Sequence, residues 1–173
     1  MVRLSITHPL LARDAACLGL GWTLGVAGLT YAAKNNSIQI SQTNSPEGET
    51  TEEMVQGLVR LAEVVAPAIG ATYGTIDIDS TRLMPRRVRT FCDIKYWCYA
   101  NIFSRTLMQK APKGFFDGCP NADRNVLSDE SLLLRSSDSF ADWYFSPPDR
   151  IVKYLAAHAP EITLFRQSPE PDL

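Results

Sequence analysis

Residues 94–103, I-K-Y-W-C-Y-A-N-I-F, limit the folds open to this chain more than any other stretch. Tyr96, Trp97, Tyr99 and Phe103 crowd into it with no glycine or proline between them, a composition that favours a pleated strand over a helix or loop. So dense an apolar load belongs in the middle of a sheet. Alternation puts Ile94, Tyr96, Cys98, Ala100 and Ile102 on a core face. Lys95, Trp97, Tyr99 and Asn101 then form a mixed face, open to a helix, a partner or water. That second face is where function is expected.

Other strands read the same way. Val2, Leu4 and Ile6 alternate in a first strand ended by Pro9, and Ile38-Gln39-Ile40 alternates after a turn at Lys34, Asn35 and Asn36. Residues 72–79, T-Y-G-T-I-D-I-D, form a strand with Ile76 and Ile78 on one face and Tyr73, Thr75, Asp77 and Asp79 on the other. Apolar residues 132–134 follow an acidic turn, and residues 162–165 suit a short last strand. Helices alternate with these. Thr50 and Glu53 make a capping box ahead of Met54, Val55, Leu58, Leu61, Ala62 and Val65 at helical spacing, and Pro67 and Gly70 end the helix. Ser104 caps a second helix, and Ser146 with Pro147 opens a third carrying Ile151, Val152 and Leu155. Residues 113–125, with the Phe115–Phe116 pair as an anchor, and residues 136–145, with Phe140, Trp143, Tyr144 and Phe145, read as loops.

The expected fold class is therefore α+β: a mainly antiparallel sheet of about five or six strands with three or four helices packed on it. At 173 residues, 45% hydrophobic and 21% charged, the chain suffices for one core and not two. Residues 1–166 form the single domain and 167–173 a frayed tail.

One segment resists a single reading. Residues 15–33 carry no charge, and Gly21 and Gly25 have the spacing that brings membrane helices together. The glycines Gly19, Gly21, Gly25 and Gly28 with Thr23 and Thr30 lower the hydrophobicity below that of a typical span. A core helix or a hairpin is expected, with a membrane-anchored accessory protein as the alternative.

Chemistry is sparse. Asp77 and Asp79 share a strand face and invite a divalent cation, which makes a metal-dependent enzyme a second alternative, but no further oxygen ligands are identifiable. Arg82, Arg86, Arg87 and Arg89 could grip phosphate. A net charge of −2 and the lack of any nucleic-acid motif make them a solvated connector instead. His8 lies beside a proline, and His158 lies at a helix C-terminus where a cation caps the dipole. No nucleophile elbow, phosphate loop or dinucleotide fingerprint is present. Cys17, Cys92, Cys98 and Cys119 form no C-x-x-C pair and read as reduced thiols of a cytoplasmic protein. No enzyme activity, cofactor or metal is expected.

From Tyr96 onward the order of features resembles bacterial immunity proteins of polymorphic-toxin and type VI secretion systems, including immunity protein 52 and the type VI immunity family. The residues that carry this are Y-W-C-Y-A-N-I-F-S-R-T-L, the loop ending in Pro120, V-L-S-D-E-S-L-L-L and the closing helix D-R-I-V-K-Y-L. The resemblance implies a small α+β antidote that binds one cognate protein toxin and blocks it. Such a surface needs aromatic anchors inside a charged rim. The candidate contacts are Asp77, Asp79, Trp97, Tyr99 and Trp143, with Glu52 and Glu53, and Glu47 and Glu49 before them, as an acidic patch. Neither nucleic acid nor a membrane is an expected partner, and a homodimer stays open.

Overall fold

The computed structural model describes residues 2–7, 29–34, 37–42, 51–78 and 88–164, with side chains for 51–77 and 88–164. Glu47, Glu49, Asp79, Arg82, Arg86, Arg87, His8, Cys17, most of the apolar run and the 167–173 tail lie outside the described residues.

The chain is α+β. Its described strands are β1 (Val2–Thr7), β2 (Leu29–Lys34), β3 (Ser37–Gln42), β4 (Tyr73–Ile78), β5 (Tyr96–Trp97), β6 (Ala100–Phe103), β7 (Asp123–Val126), β8 (Leu132–Arg135) and β9 (Thr163–Leu164). Seven of them form one antiparallel sheet in the order β2-β3-β1-β4-β6-β8-β7. The remaining two, β5 and β9, pair in parallel as a separate ribbon. The main sheet thus has more strands than the five or six expected. The additions are β2, drawn from the end of the apolar run, and β7, drawn from the expected loop 113–125. Residues 29–33 of that run lie in β2, and residues 15–28 lie outside the described residues. No helix among the described residues is long and apolar enough to cross a membrane.

The 18-residue helix α1 (Thr51–Ala68) packs on β1 and β4 through Met54, Val55, Leu58, Val59, Ala62 and Ala66. Opposed residues in an antiparallel pair share a face. Ile76, Ala100, Ile102 and Leu133 therefore lie on one side of the sheet, where α1's Gln56 and Glu63 also reach Arg135 and Asn125. Tyr73, Thr75, Asp77, Asn101 and Phe103 lie on the other. That second side is covered by β5 and by α3 (Phe115–Gly118): Trp97 and Phe116 stand 5.5 and 4.9 Å from Phe103, ring centre to ring centre. Phe115 and Phe116 are buried, the anchoring expected of them, although their segment is a helical turn rather than plain loop.

Ser104 caps α2 (Arg105–Met108) as its sequence implies, its Oγ accepting from Leu107 N at 3.2 Å. Residues 140–145, read as loop, form α4 (Phe140–Phe145), with Ser139 Oγ accepting from Asp142 N at 3.0 Å. The last helix, α5 (Asp149–His158), starts two residues later than the Ser146–Pro147 signal, with Pro148 at the cap. At its other end His158 stacks on Tyr154 at 4.2 Å and sets Nδ1 3.0 Å from Tyr154 O, near the helix terminus where a capping group belongs.

The β7–β8 hairpin closes through Leu127, whose N–H donates to Ser131 O at 2.8 Å while its carbonyl accepts from Glu130 N at 3.0 Å. This geometry puts Glu130 in the left-handed region at φ 64°, where glycine is the relaxed choice. An ion pair from Glu130 to Arg105 lies nearby, but both side chains are over 60% exposed, so it offsets little of the backbone cost. Glu130→Gly is expected to raise the unfolding free energy by about 1 kcal/mol, read as a higher urea midpoint at unchanged m-value.

Candidate functional site

The run 94–103 is not one strand. It breaks at Cys98 and Tyr99, where the chain leaves the β5–β9 ribbon and enters the main sheet as β6. Both residues are buried, so their backbone groups need partners inside the protein. Three side chains supply them. Asn101 accepts from Cys98 N at 3.2 Å through Oδ1 and donates to Cys98 O at 2.9 Å through Nδ2. Ser136 donates to Cys98 O at 2.9 Å through Oγ, which also accepts from Trp97 Nε1 at 3.0 Å, while its own N–H donates to Tyr99 O at 2.8 Å. Asp77 Oδ2 accepts from Tyr99 N at 2.9 Å and from Trp143 Nε1 at 3.3 Å.

This arrangement corrects the expected contact surface. Asp77, Trp97, Tyr99 and Trp143 are 3%, 0%, 0% and 2% exposed, and so they present nothing to a partner. The break is the physical reason: it turns the supposed outer face of a single strand into the seam between two sheets. Of the three ways that face could have been covered, the chain uses its own helix, with Phe140 of α4 edge-on to Tyr99 at 5.2 Å. The same geometry weakens the cation reading, since Asp77 Oδ2 is occupied by two N–H donors. Among the described residues no three His, Cys, Asp or Glu side chains gather to hold a metal. The register sets Arg3 of β1 directly across from Asp77.

Burial also sets the titration of this seam. The Tyr73 hydroxyl is held well above its usual range by burial first, then by the Cys98 and Asp77 charges, and the Cys98 thiol is raised by burial and by Asp77. Burial pushes the Cys119 thiol up to about 12. Cys92, Cys98 and Cys119 are free thiols, and Cys92 alone of the three is exposed. Burial thus favours the protonated form of Tyr73, Cys98 and Cys119.

The outer surface carries the candidate site instead. Glu52 of α1 is half-buried and binds inward, Oε2 accepting from Phe140 N at 2.7 Å and Oε1 from Gln56 at 2.8 Å; Glu53 beside it is exposed. Glu52 thereby docks the start of α1 on the start of α4. On α4, Phe140 and Trp143 point into the core at helical spacing, leaving Tyr144 and Phe145 outside at 45% and 81% exposure. No other described aromatic side chain is exposed. Their rings meet edge to face at 5.0 Å. The cluster was visible in the sequence, but taken as a loop it gave no reason to prefer Tyr144 and Phe145 over Trp143. The i, i+3 spacing of Phe140 and Trp143 was the signal.

The β7 edge of the sheet is a poorer contact. β7 has four residues, two of them charged, and Arg124 N donates to its own neighbour Asp123 Oδ1 at 2.8 Å, which blunts the edge toward an added strand.

No protein-family model matches this chain, and neither a curated protein nor a solved structure matches it.

Asp77→Ala leaves the buried N–H groups of Tyr99 and Trp143 without their acceptor. A loss on the order of 3 kcal/mol is expected in urea unfolding followed by tryptophan fluorescence. Iodoacetamide at pH 8 should label Cys92 in the native chain and reach Cys98 and Cys119 only after guanidinium unfolding, as mapped by peptide mass spectrometry.

Proposed function

We propose that this chain is a non-catalytic binding domain, and specifically an immunity protein that neutralises a cognate secreted bacterial toxin in the cytoplasm. The observation that carries this reading is the outward aromatic pair. A chain that sequesters nine described aromatics leaves Tyr144 and Phe145 in water on a short, capped helix held by two ring anchors. Large exposed rings on a rigid element cost solubility and are characteristic of protein contacts. The resemblance of residues 96–173 to toxin antidotes supplies the kind of partner. The polar groups of the seam, Asp77, Asn101 and Ser136, are spent on backbone hydrogen bonds, which fits a protein that acts by surface shape.

Trp97 and Asp77, the contacts expected from the sequence, serve this reading only as supports, and replacing them would unsettle the fold before it touched a partner. The test is genetic. The product of the gene adjacent to this one, expressed alone in a sensitive bacterium, should arrest growth, and co-expression of the intact chain should restore it. Arrest without restoration, or no toxic neighbour, removes the antidote reading.

A further inference from the structure

We infer that the surface around Tyr144 and Phe145 docks a basic protein face: an apolar recess that receives Phe145, rimmed by lysine or arginine. This inference deepens the proposed function and rests on its claim that the chain acts by binding protein.

The apolar part comes from burial. Phe145 is 81% exposed and Tyr144 is 45% exposed, while Phe140 and Trp143 fix the helix beneath them. The charge around the pair decides what can cover it. Asp142 lies three residues before Phe145, on the same side of α4. Asp138 precedes the helix, Asp149 opens α5, and both are exposed along with Asp142. Among the described residues none of these three carboxylates forms an ion pair. Among the described residues, the bases nearest the pair in sequence are Arg150 and Lys153, on α5 and exposed. Among the described residues, three exposed carboxylates without an ion pair thus lie within seven positions of the rings, Asp142 on the same helix face as Phe145.

An occupant that buried Phe145 would strip water from these carboxylates, a heavy cost unless cations replace it. A neutral or acidic partner leaves them stranded. A second copy of this chain would bring like charges together around the same rings. A cationic partner is favoured on both counts and gains association rate from the long-range field.

The probe is a library of random constrained peptides displayed on phage, panned on the full chain and counter-selected on the Tyr144→Asp, Phe145→Asp double variant. The expected winners carry several lysines or arginines beside an apolar residue. Their synthetic forms should bind Phe145→Ala about thirtyfold more weakly and Asp142→Lys, Asp149→Lys more weakly still, with affinity falling as NaCl rises. Phe145→Ala should keep the urea midpoint of the parent, because its ring is outside the core. Neutral or acidic winners, winners indifferent to Phe145→Ala, or no enrichment over the decoy overturn the proposal. A dimer seen by light scattering that Phe145→Ala abolishes also overturns it, assigning the face to a second copy. The antidote reading is scored separately by growth rescue. Rescue that survives Phe145→Ala with Asp142→Lys removes this face and keeps the antidote, whereas cationic winners with no neutralised neighbour keep the face and remove the antidote.

Discussion

Two buried peptide units hold this architecture together. At Cys98 and Tyr99 the chain steps from the β5–β9 ribbon to the centre of the main sheet, and within a core an unpartnered N–H or C=O costs as much as several well-made contacts return. Asp77, Asn101 and Ser136 come from three neighbouring stretches, β4, β6 and the segment after β8, and converge on those four backbone groups. Because the three sit at fixed register positions, they tie the two layers to one another and leave no freedom to slide. Trp97 is then carried to the far side of the sheet, where it packs with Phe103 and Phe115.

The same constraint separates structure from surface. A buried carboxylate that accepts a backbone N–H and an indole N–H is committed. The exposed aromatic side chains lie outside, on α4, which Glu52 couples to the start of α1 through Phe140 N. The proposed contact surface is thus mounted directly over the seam: Trp143 reaches down to Asp77 while its neighbours Tyr144 and Phe145 reach out. Rigid support under exposed rings lowers the ordering cost of binding.

Much of the fold was legible in the residues. The alternation of Val2, Leu4 and Ile6, the helical stripe from Met54 to Val65, the strand with Ile76 and the Ser104 cap each express a local rule, and β1, α1, β4 and α2 follow them. The run 94–103 misled because period-two alternation assumes an unbroken strand. A two-residue interruption satisfied by distant side chains carries no local signature, and it reversed the surroundings of Trp97 and Tyr99. Helix α4 escaped for a related reason, since six residues are too few for periodicity to outweigh the polar segment before them. β7, with Asp123, Arg124 and Asn125, has almost no strand character of its own and is defined by its pairing with Leu132, Leu133 and Leu134.

The ribbon that flanks the seam joins distant parts of the chain: Thr163 N donates to Lys95 O at 2.9 Å, across 68 residues of sequence. During synthesis, residues 95–97 leave the ribosome long before residue 163 exists to meet them. Until then β5, which carries Trp97, lacks its partner strand, so a nascent or truncated chain would display a surface the folded protein hides. The closing strand acts as a latch that completes the fold only once residues 163 and 164 have been made.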